Sequence, residues 1–308
     1  MQEIKHTVAL YTYTTFQIGG EARYFVDVRT EAEIEEALSH AKKNNIRPVI
    51  LSGGSNVLVP DNGLDALVIH IVGDLYSVDG ETVDSWAGTN LRKLIEACGK
   101  RGVGGWEKLA GIPGSIGGAV RGNAGAFGPE IKDFVLSVRA LNSDTGESRS
   151  FSNAECDFSY RHSFFKDNPE WIITRTILGL QSIEADESEK IVAETIAERE
   201  KRHLQNVRAA GSYFMNPVAS PEIVAMFESE KGVKSRENRV PAGWLIEKAG
   251  MKGATVGGAI ASIQHPNYIV NNGGATSEDV RALAEMIKTE VRNQFGVELK
   301  EEAAILAN

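Results

Sequence analysis

Four side chains in this chain are of types that hold or protonate a bound molecule, and they are spread widely: Arg161, Ser212, Lys252 and Glu302. Arg161 lies among aromatics in Tyr160-Arg161-His162-Ser163-Phe164-Phe165-Lys166. A planar guanidinium there can grip both oxygens of a carboxylate; stacked on Tyr160 at the surface, it would do no chemistry. Ser212 stands in Gly211-Ser212-Tyr213-Phe214-Met215-Asn216-Pro217. It can donate a proton in an enclosed site, or serve as a turn or cap serine, the commoner role. Lys252 follows a helix-like segment from Pro241 and its stop at Gly250, and can hold a phosphate or lie in solvent. Glu302, in Leu299-Lys300-Glu301-Glu302-Ala303, reads by itself as a carboxylate on a strand edge. The six histidines show neither H-x-x-x-H nor H-E-x-x-H spacing, so no metal site is indicated.

Two glycine-rich stretches supply bare backbone. Glycines 111, 114, 117, 118, 122 and 125 fall within fifteen residues, with apolar Ile112, Ile116 and Val120 between them. Ser52-Gly53-Gly54-Ser55-Asn56 follows an apolar strand. Glycine costs roughly 0.5–1 kcal/mol relative to alanine inside a regular element, so such density implies close approach to backbone. Peptide N–H groups can then touch a phosphate or a flat ring. Two such cradles suit a dinucleotide; close packing of elements against glycine is the alternative. G-x-G-x-x-G in a strand-to-helix setting, G-x-x-x-x-G-K-[ST] and G-x-S-x-G are all missing, which disfavours a Rossmann site, a P-loop hydrolase and a hydrolase nucleophile elbow.

The elements that must position these residues alternate. Strands are expected at Tyr24–Val28, Pro48–Leu51, Leu64–Val72, Thr82–Ala87, Phe134–Leu141 and Trp171–Leu180. Helices are expected at Glu31–Asn44, with Ile34, Ala37, Leu38 and Ala41 on one face, and from an Asn90 cap to Lys100. The acidic segment near Gln181–Glu189 marks a domain boundary, placing 1–183 in one region, with two lobes split near 63–72, and 184–308 in a second. A charged helix over Lys190–Arg202, a long helix from Ser277 to about Phe295 and a strand near Leu299–Leu306 follow.

At 308 residues the chain exceeds a single core, consistent with two domains. A net charge of −9 argues against a nucleic-acid partner, though not against a small anion held by a local cation cluster. Two cysteines outside any C-x-x-C, no apolar signal core after Met1 and no apolar run near the ~20 residues of a membrane span point to a cytoplasmic protein.

Taken in order, Thr15-Phe16-Gln17-Ile18-Gly19-Gly20, Ser52–Asn56, Gly111–Gly125, Tyr160-Arg161, Gly211-Ser212, Gly243-Trp244-Leu245-Ile246 and Glu302 closely resemble the UDP-N-acetylenolpyruvoylglucosamine reductase (MurB) family, over nearly the whole chain. The resemblance implies an α+β fold: a two-lobed FAD-binding region of the vanillyl-alcohol-oxidase type, then a smaller α+β substrate-binding domain whose C-terminal strand returns to the active site. It implies tightly bound, non-covalent FAD, NADPH as reductant, and reduction of UDP-N-acetylglucosamine enolpyruvate to UDP-N-acetylmuramate, both small molecules using one pocket in turn. Arg161, Ser212 and Glu302 match the catalytic positions, with Ser212 as proton donor. Flavin contacts are implied at Ser52, Gly53, Gly54, Ser55, Asn56, Gly111, Pro113, Gly114, Ser115, Gly117, Gly118, Ala119, Asn123 and Gly125. Substrate contacts are implied at Tyr160, Arg202, Asn216 and Lys252. Met215 departs from the Lys or Gln frequent in the family, and 202–210 lack the usual proline. The 51 positions between Arg161 and Ser212 match the branch without a tyrosine-bearing lid loop. Two other readings are a flavin-dependent alcohol oxidase of the same fold and a non-catalytic nucleotide-sugar binder. The first would more often carry its flavin on a His or Cys, which neither glycine stretch contains, and the second leaves Arg161, Ser212 and Glu302 without a reason to occur together.

Overall fold

The structure is a computed structural model that describes residues 3–201 and 207–307. Its elements run β1 (Lys5–Ala9), β2 (Glu21–Val28), α1 (Glu31–Lys43), β3 (Pro48–Leu51), β4 (Val57–Leu58), β5 (Leu64–Ile71), β6 (Tyr76–Asp79), β7 (Thr82–Trp86), α2 (Leu91–Gly99), β8 (Val103–Gly104), α3 (Ile116–Arg121), β9 (Val135–Asn142) and β10 (Ser148–Ser152). They continue α4 (Phe164–Asp167), β11 (Trp171–Gly179), β12 (Gln181–Ser182), α5 (Ala185–Lys201), α6 (Pro221–Lys231), α7 (Ala242–Lys248), β13 (Thr255–Val256), β14 (Ala259–Ala261), β15 (Ile269–Asn271), α8 (Ser277–Phe295) and β16 (Ala304–Ile305). The chain forms two compact units, Met1–Val8 with Ala22–Gly54 and Asp65–Lys201, and Ala9–Glu21 with Ser55–Leu64 and Arg202–Asn308.

The first unit carries two sheets. One has the order β1-β2-β5-β3, with β3 parallel to β5; the other has the order β10-β9-β11-β7-β6, with each neighbouring pair antiparallel. β5 reads Leu64-Asp65-Ala66-Leu67-Val68-Ile69-His70-Ile71, an apolar run that places most of its residues in the interior. α1 starts where Thr30 accepts a hydrogen bond from the Glu33 N–H; Glu31 and Glu33 sit in its first turn, and His40, Lys42 and Lys43 in its last. Both ends thus oppose the helix dipole. Ile34, Ala37 and Ala41 bury one face at helical spacing. Asn90 caps α2 by accepting from the Lys93 N–H, as its position predicts.

The expected boundary at 183/184 precedes α5, whereas the compact units part after Lys201. The reason is local to the first unit: Val192 of α5 joins its core, and the buried Ser188 donates to Glu107 Oε1 at 2.9 Å. Charge on the exposed face hides this attachment from a reading by composition.

In the second unit, α8 packs Val280, Leu283, Ala284, Ile287 and Val291 inward, at spacings of three and four. Thr276 and Asp279 form a capping box, and Gly296 ends the helix at φ 65°. The Asp61 carboxylate accepts from the Ser277 N–H and Oγ at 2.8 and 2.7 Å, fixing the helix start. The C-terminal strand is shorter than expected. Among the described residues there, only Ala304–Ile305 pairs as a strand, parallel to β4, while Glu301 makes an isolated bridge with Phe214. Among the described residues no helix is long and apolar enough to cross a membrane.

Candidate active site

In the first unit the two glycine stretches meet. A Cβ built on Gly53 would lie 2.6 Å from Gly114 Cα and 3.0 Å from Ser115 N. The Ser52–Asn56 loop therefore requires glycine at position 53 for this contact. Ser52 Oγ lies 2.9 Å from the Ile71 carbonyl and 2.8 Å from Ser115 Oγ, so the two hydroxyls form a chain ending on that carbonyl. Ser115 caps α3 by accepting from the Gly118 N–H. The N–H groups of Gly53, Gly54, Gly114 and Ser115 find no acceptor among the described residues. Such N–H groups on touching loops suit an anion.

The first turn of α3 contributes differently from expectation. Ile116 N–H donates to the Thr89 carbonyl and Gly117 N–H to the Ala87 carbonyl, at 2.9 and 2.8 Å. With Gly118 N–H taken by Ser115, this turn offers surface rather than donors. Gly118 is exposed, and a Cβ there would meet only Ser115 Oγ, at 3.5 Å. Other glycines are required by packing within the protein: a Cβ would fall 2.0 Å from Arg199 Cδ at Gly111, 2.8 Å from Ala87 Cβ at Gly117 and 2.8 Å from Glu130 Cγ at Gly125. Four open donors beside a bare glycine face form a set into which the diphosphate of an FAD-type dinucleotide fits.

Arg161 belongs to the same unit. It sits in a tight turn closed by mutual hydrogen bonds of 3.1 Å between Ser159 and His162. Its φ is 57°, the left-handed region that costs a non-glycine residue roughly 1–2 kcal/mol. Its guanidinium donates to the Gly125 carbonyl at 2.9 Å and lies 5.2 Å from the Tyr160 ring centroid. Sequence reasoning missed what supports it. Asn123, expected at the cofactor, is fully buried and donates to the Ser159 carbonyl at 2.8 Å and Glu130 Oε2 at 3.1 Å. Lys166 donates to the Arg161 carbonyl at 3.0 Å.

The second unit holds the remaining residues. Gly211, at φ 74°, turns the chain into Ser212, whose half-buried hydroxyl bonds to no other described residue. The following segment is clamped: Tyr213 N–H donates to the Asn267 carbonyl, Phe214 N–H to Asn267 Oδ1, and Asn267 Nδ2 returns a bond to the Phe214 carbonyl. Nothing but a polar residue after Pro266 marked Asn267 in the sequence. Across from this segment, Glu302 N–H donates to the Tyr213 carbonyl at 2.8 Å and Met215 N–H to the Lys300 carbonyl at 2.9 Å. The backbone thus brings the segments that carry Ser212 and Glu302 side by side. Asn56 adjoins them, its Nδ2 donating to the Glu302 carbonyl at 3.1 Å.

The substrate-side positions are engaged with the protein. Asn216 Oδ1 accepts from Ala242 N–H at 3.0 Å, and its carbonyl accepts from Arg239. Lys252 pairs with Glu247 at 2.7 Å and holds that carboxyl below its ordinary range. Arg202 lies outside the described residues.

Comparison with known proteins agrees with both halves of this arrangement. Residues 22–152 match the model of an FAD binding domain, and residues 202–306 that of the UDP-N-acetylenolpyruvoylglucosamine reductase C-terminal domain. The UDP-N-acetylenolpyruvoylglucosamine reductase of Solibacter usitatus is 36% identical over 97% of this chain and 95% of its own length. That of Pseudomonas putida is 35% identical over 96% of each. The crystal structure of the Thermus caldophilus enzyme (MurB) covers 100% of both chains at 31% identity, with a TM-score of 0.77. With glycine loops, arginine turn and serine segment each found in the structure, and with likeness running the full length, the chain belongs to the UDP-N-acetylenolpyruvoylglucosamine reductase family.

Proposed function

We propose that this protein binds FAD and uses NADPH to reduce the enolpyruvyl group of UDP-N-acetylglucosamine enolpyruvate to UDP-N-acetylmuramate, in the cytoplasm, during peptidoglycan precursor synthesis. The observation that carries the reading is the contact of the Ser52–Asn56 and Gly111–Ser115 loops at Gly53 and Gly114, with four backbone N–H groups left open beside it. The two loops would hold FAD, which would supply, from NADPH, the hydride that reduces the methylene carbon of the enolpyruvyl group.

The protein's own residues handle the charge and the proton. Hydride addition leaves negative charge on the neighbouring carbon and its carboxylate, and a donor aimed at that charge lowers the barrier. Arg161 is the cation for this carboxylate, and Glu302 is the carboxyl that accompanies it. Ser212 gives its hydroxyl proton to the neighbouring carbon, completing the lactyl ether; its open hydroxyl supports this role. A positioned general acid contributes about 10²–10⁴-fold. Tyr160 of the first unit and Asn216 and Lys252 of the second, with Arg202, are assigned to the substrate, and the reductant and the substrate use the pocket in turn.

The test is spectroscopic. The purified protein is expected to be yellow, to be bleached by NADPH and to regain colour on adding the enolpyruvyl substrate. A colourless protein that FAD cannot reconstitute would overturn the reading. Ser212→Ala is expected to keep bleaching by NADPH and to slow reoxidation by about 10²-fold or more. Equal losses in both halves would assign the serine another role.

A further inference from the structure

The backbone around Arg161 carries more than the proposed reaction explains. A turn whose second central residue has positive φ ordinarily holds glycine or asparagine there. Here that residue is Arg161, at φ 57°. The chain keeps a long cationic side chain on a conformation that disfavours it, so surrounding contacts must hold it. Three contacts do so. Asn123 Nδ2 donates to the carbonyl of Ser159, at the base of the turn. Lys166 Nζ donates to the carbonyl of Arg161 itself. The carbonyl of Gly125, two residues beyond Asn123, accepts from the Arg161 guanidinium.

Asn123 is built for this and for little else. It is 0% exposed, its own φ is 42°, and both ends of its amide are taken: Nδ2 by Ser159 and Glu130, Oδ1 by the Lys132 N–H at 3.2 Å. A side chain so committed has no group left for a cofactor. Glu130 is fixed in turn by Lys132 at 2.8 Å, which makes the acceptor for Asn123 rigid.

We propose that Asn123 and Lys166 are positioning residues for Arg161: they hold its strained turn so that the guanidinium stays at a fixed place on the Gly125 loop, and Asn123 is not a flavin contact. The proposal rests on the functional reading above. Loss of either tie lets the turn relax toward negative φ and moves the guanidinium off its place. A displacement of about 1 Å at a charge-stabilising group can cost about 10²-fold in rate.

Stopped-flow half-reactions on the FAD-loaded full chain test it, with Asn123→Gly, which accepts the same φ, and Lys166→Met, which keeps the bulk. Both variants are expected to retain flavin and reduction by NADPH near wild type, and to slow reoxidation by the enolpyruvyl substrate by about 10²-fold. In an Arg161→Ala background the same substitutions are expected to add little, because the group they position is gone. Hydrogen exchange is expected to show the His162 amide losing protection in both variants, whether or not the protein turns over. Flavin loss from Asn123→Gly would restore Asn123 to the cofactor and overturn the proposal, as would losses that multiply fully with Arg161→Ala. If Asn123→Gly does not fold, Lys166→Met decides alone. A wild type that NADPH cannot bleach would instead sink the functional reading, leaving the exchange result to judge the turn.

Discussion

At the scale of single residues, the second unit places an open hydroxyl beside a sealed one. Ser212 is half-buried with its hydroxyl uncommitted, whereas the next residue, Tyr213, is 1% exposed. Its phenol oxygen has no hydrogen-bond partner among the described residues. Burial, helped by the nearby Glu301 carboxylate, pushes the Tyr213 phenol well above its ordinary range, so it stays protonated at every working pH. It is a donor with nothing to receive it. An unmade bond of this kind costs about 1–3 kcal/mol. Tyr213→Phe is therefore expected to stabilise the protein by about that amount in urea unfolding. A clear loss of stability would mean that the hydroxyl is held by an internal water. The two neighbours thus divide their work: Tyr213 packs, and Ser212 stays available.

At the scale of elements, loops and caps decide more than helices do. Gly53→Ala is expected to force the two cradle loops apart, since its Cβ would meet backbone at 2.6 Å. Weaker FAD retention and a lower melting temperature would both follow, while retention of flavin at wild-type affinity would show that the loops need not touch. Glu31 ties α1 to the five-stranded sheet of the same unit. Its carboxylate accepts two bonds of 2.9 Å from Arg139, one of 2.9 Å from Thr174 and one from Ser148. The Arg139 contact chiefly, with Ser148 and Thr174 against the opposing effect of burial, lowers its pKa from 4.5 to about 2. A depressed carboxyl stabilises the fold above its unfolded value and loses that contribution as pH falls through the folded one. The wild type is thus expected to lose stability between pH 4.5 and about 2, and Glu31→Gln to lose less over that window. Identical acid profiles would show that the tie is spent on solvent screening.

At the scale of the molecule, the two cysteines report on one unit. Cys98 and Cys156 both lie in the core of the first, and burial pushes their thiols up to about 11 and about 12. A thiol is reactive as thiolate. Neither is expected to react with a thiol reagent at pH 8 until the unit opens, and fast labelling of native protein would contradict the packing. The same scale separates what could be read along the chain from what could not. Pro48–Leu51, the Asn90 cap and the 277–295 helix were legible because capping and periodicity act over a few residues. So were the two glycine stretches, as segments that need bare backbone. Which glycines face each other and which face side chains was not legible: Gly53 meets Gly114 across 61 positions, and Gly111 meets Arg199 from a helix whose composition places it elsewhere. The types of Arg161, Ser212 and Glu302 stand in the sequence, and the roles proposed for them rest on the family resemblance rather than on type or spacing. Only the tertiary structure decided that Asn123 grips the Arg161 turn, that Asn267 clamps the segment after Ser212, and that Glu302 runs beside it. Those are hydrogen bonds between distant segments, made once folding has excluded water, and local propensity carries no record of them.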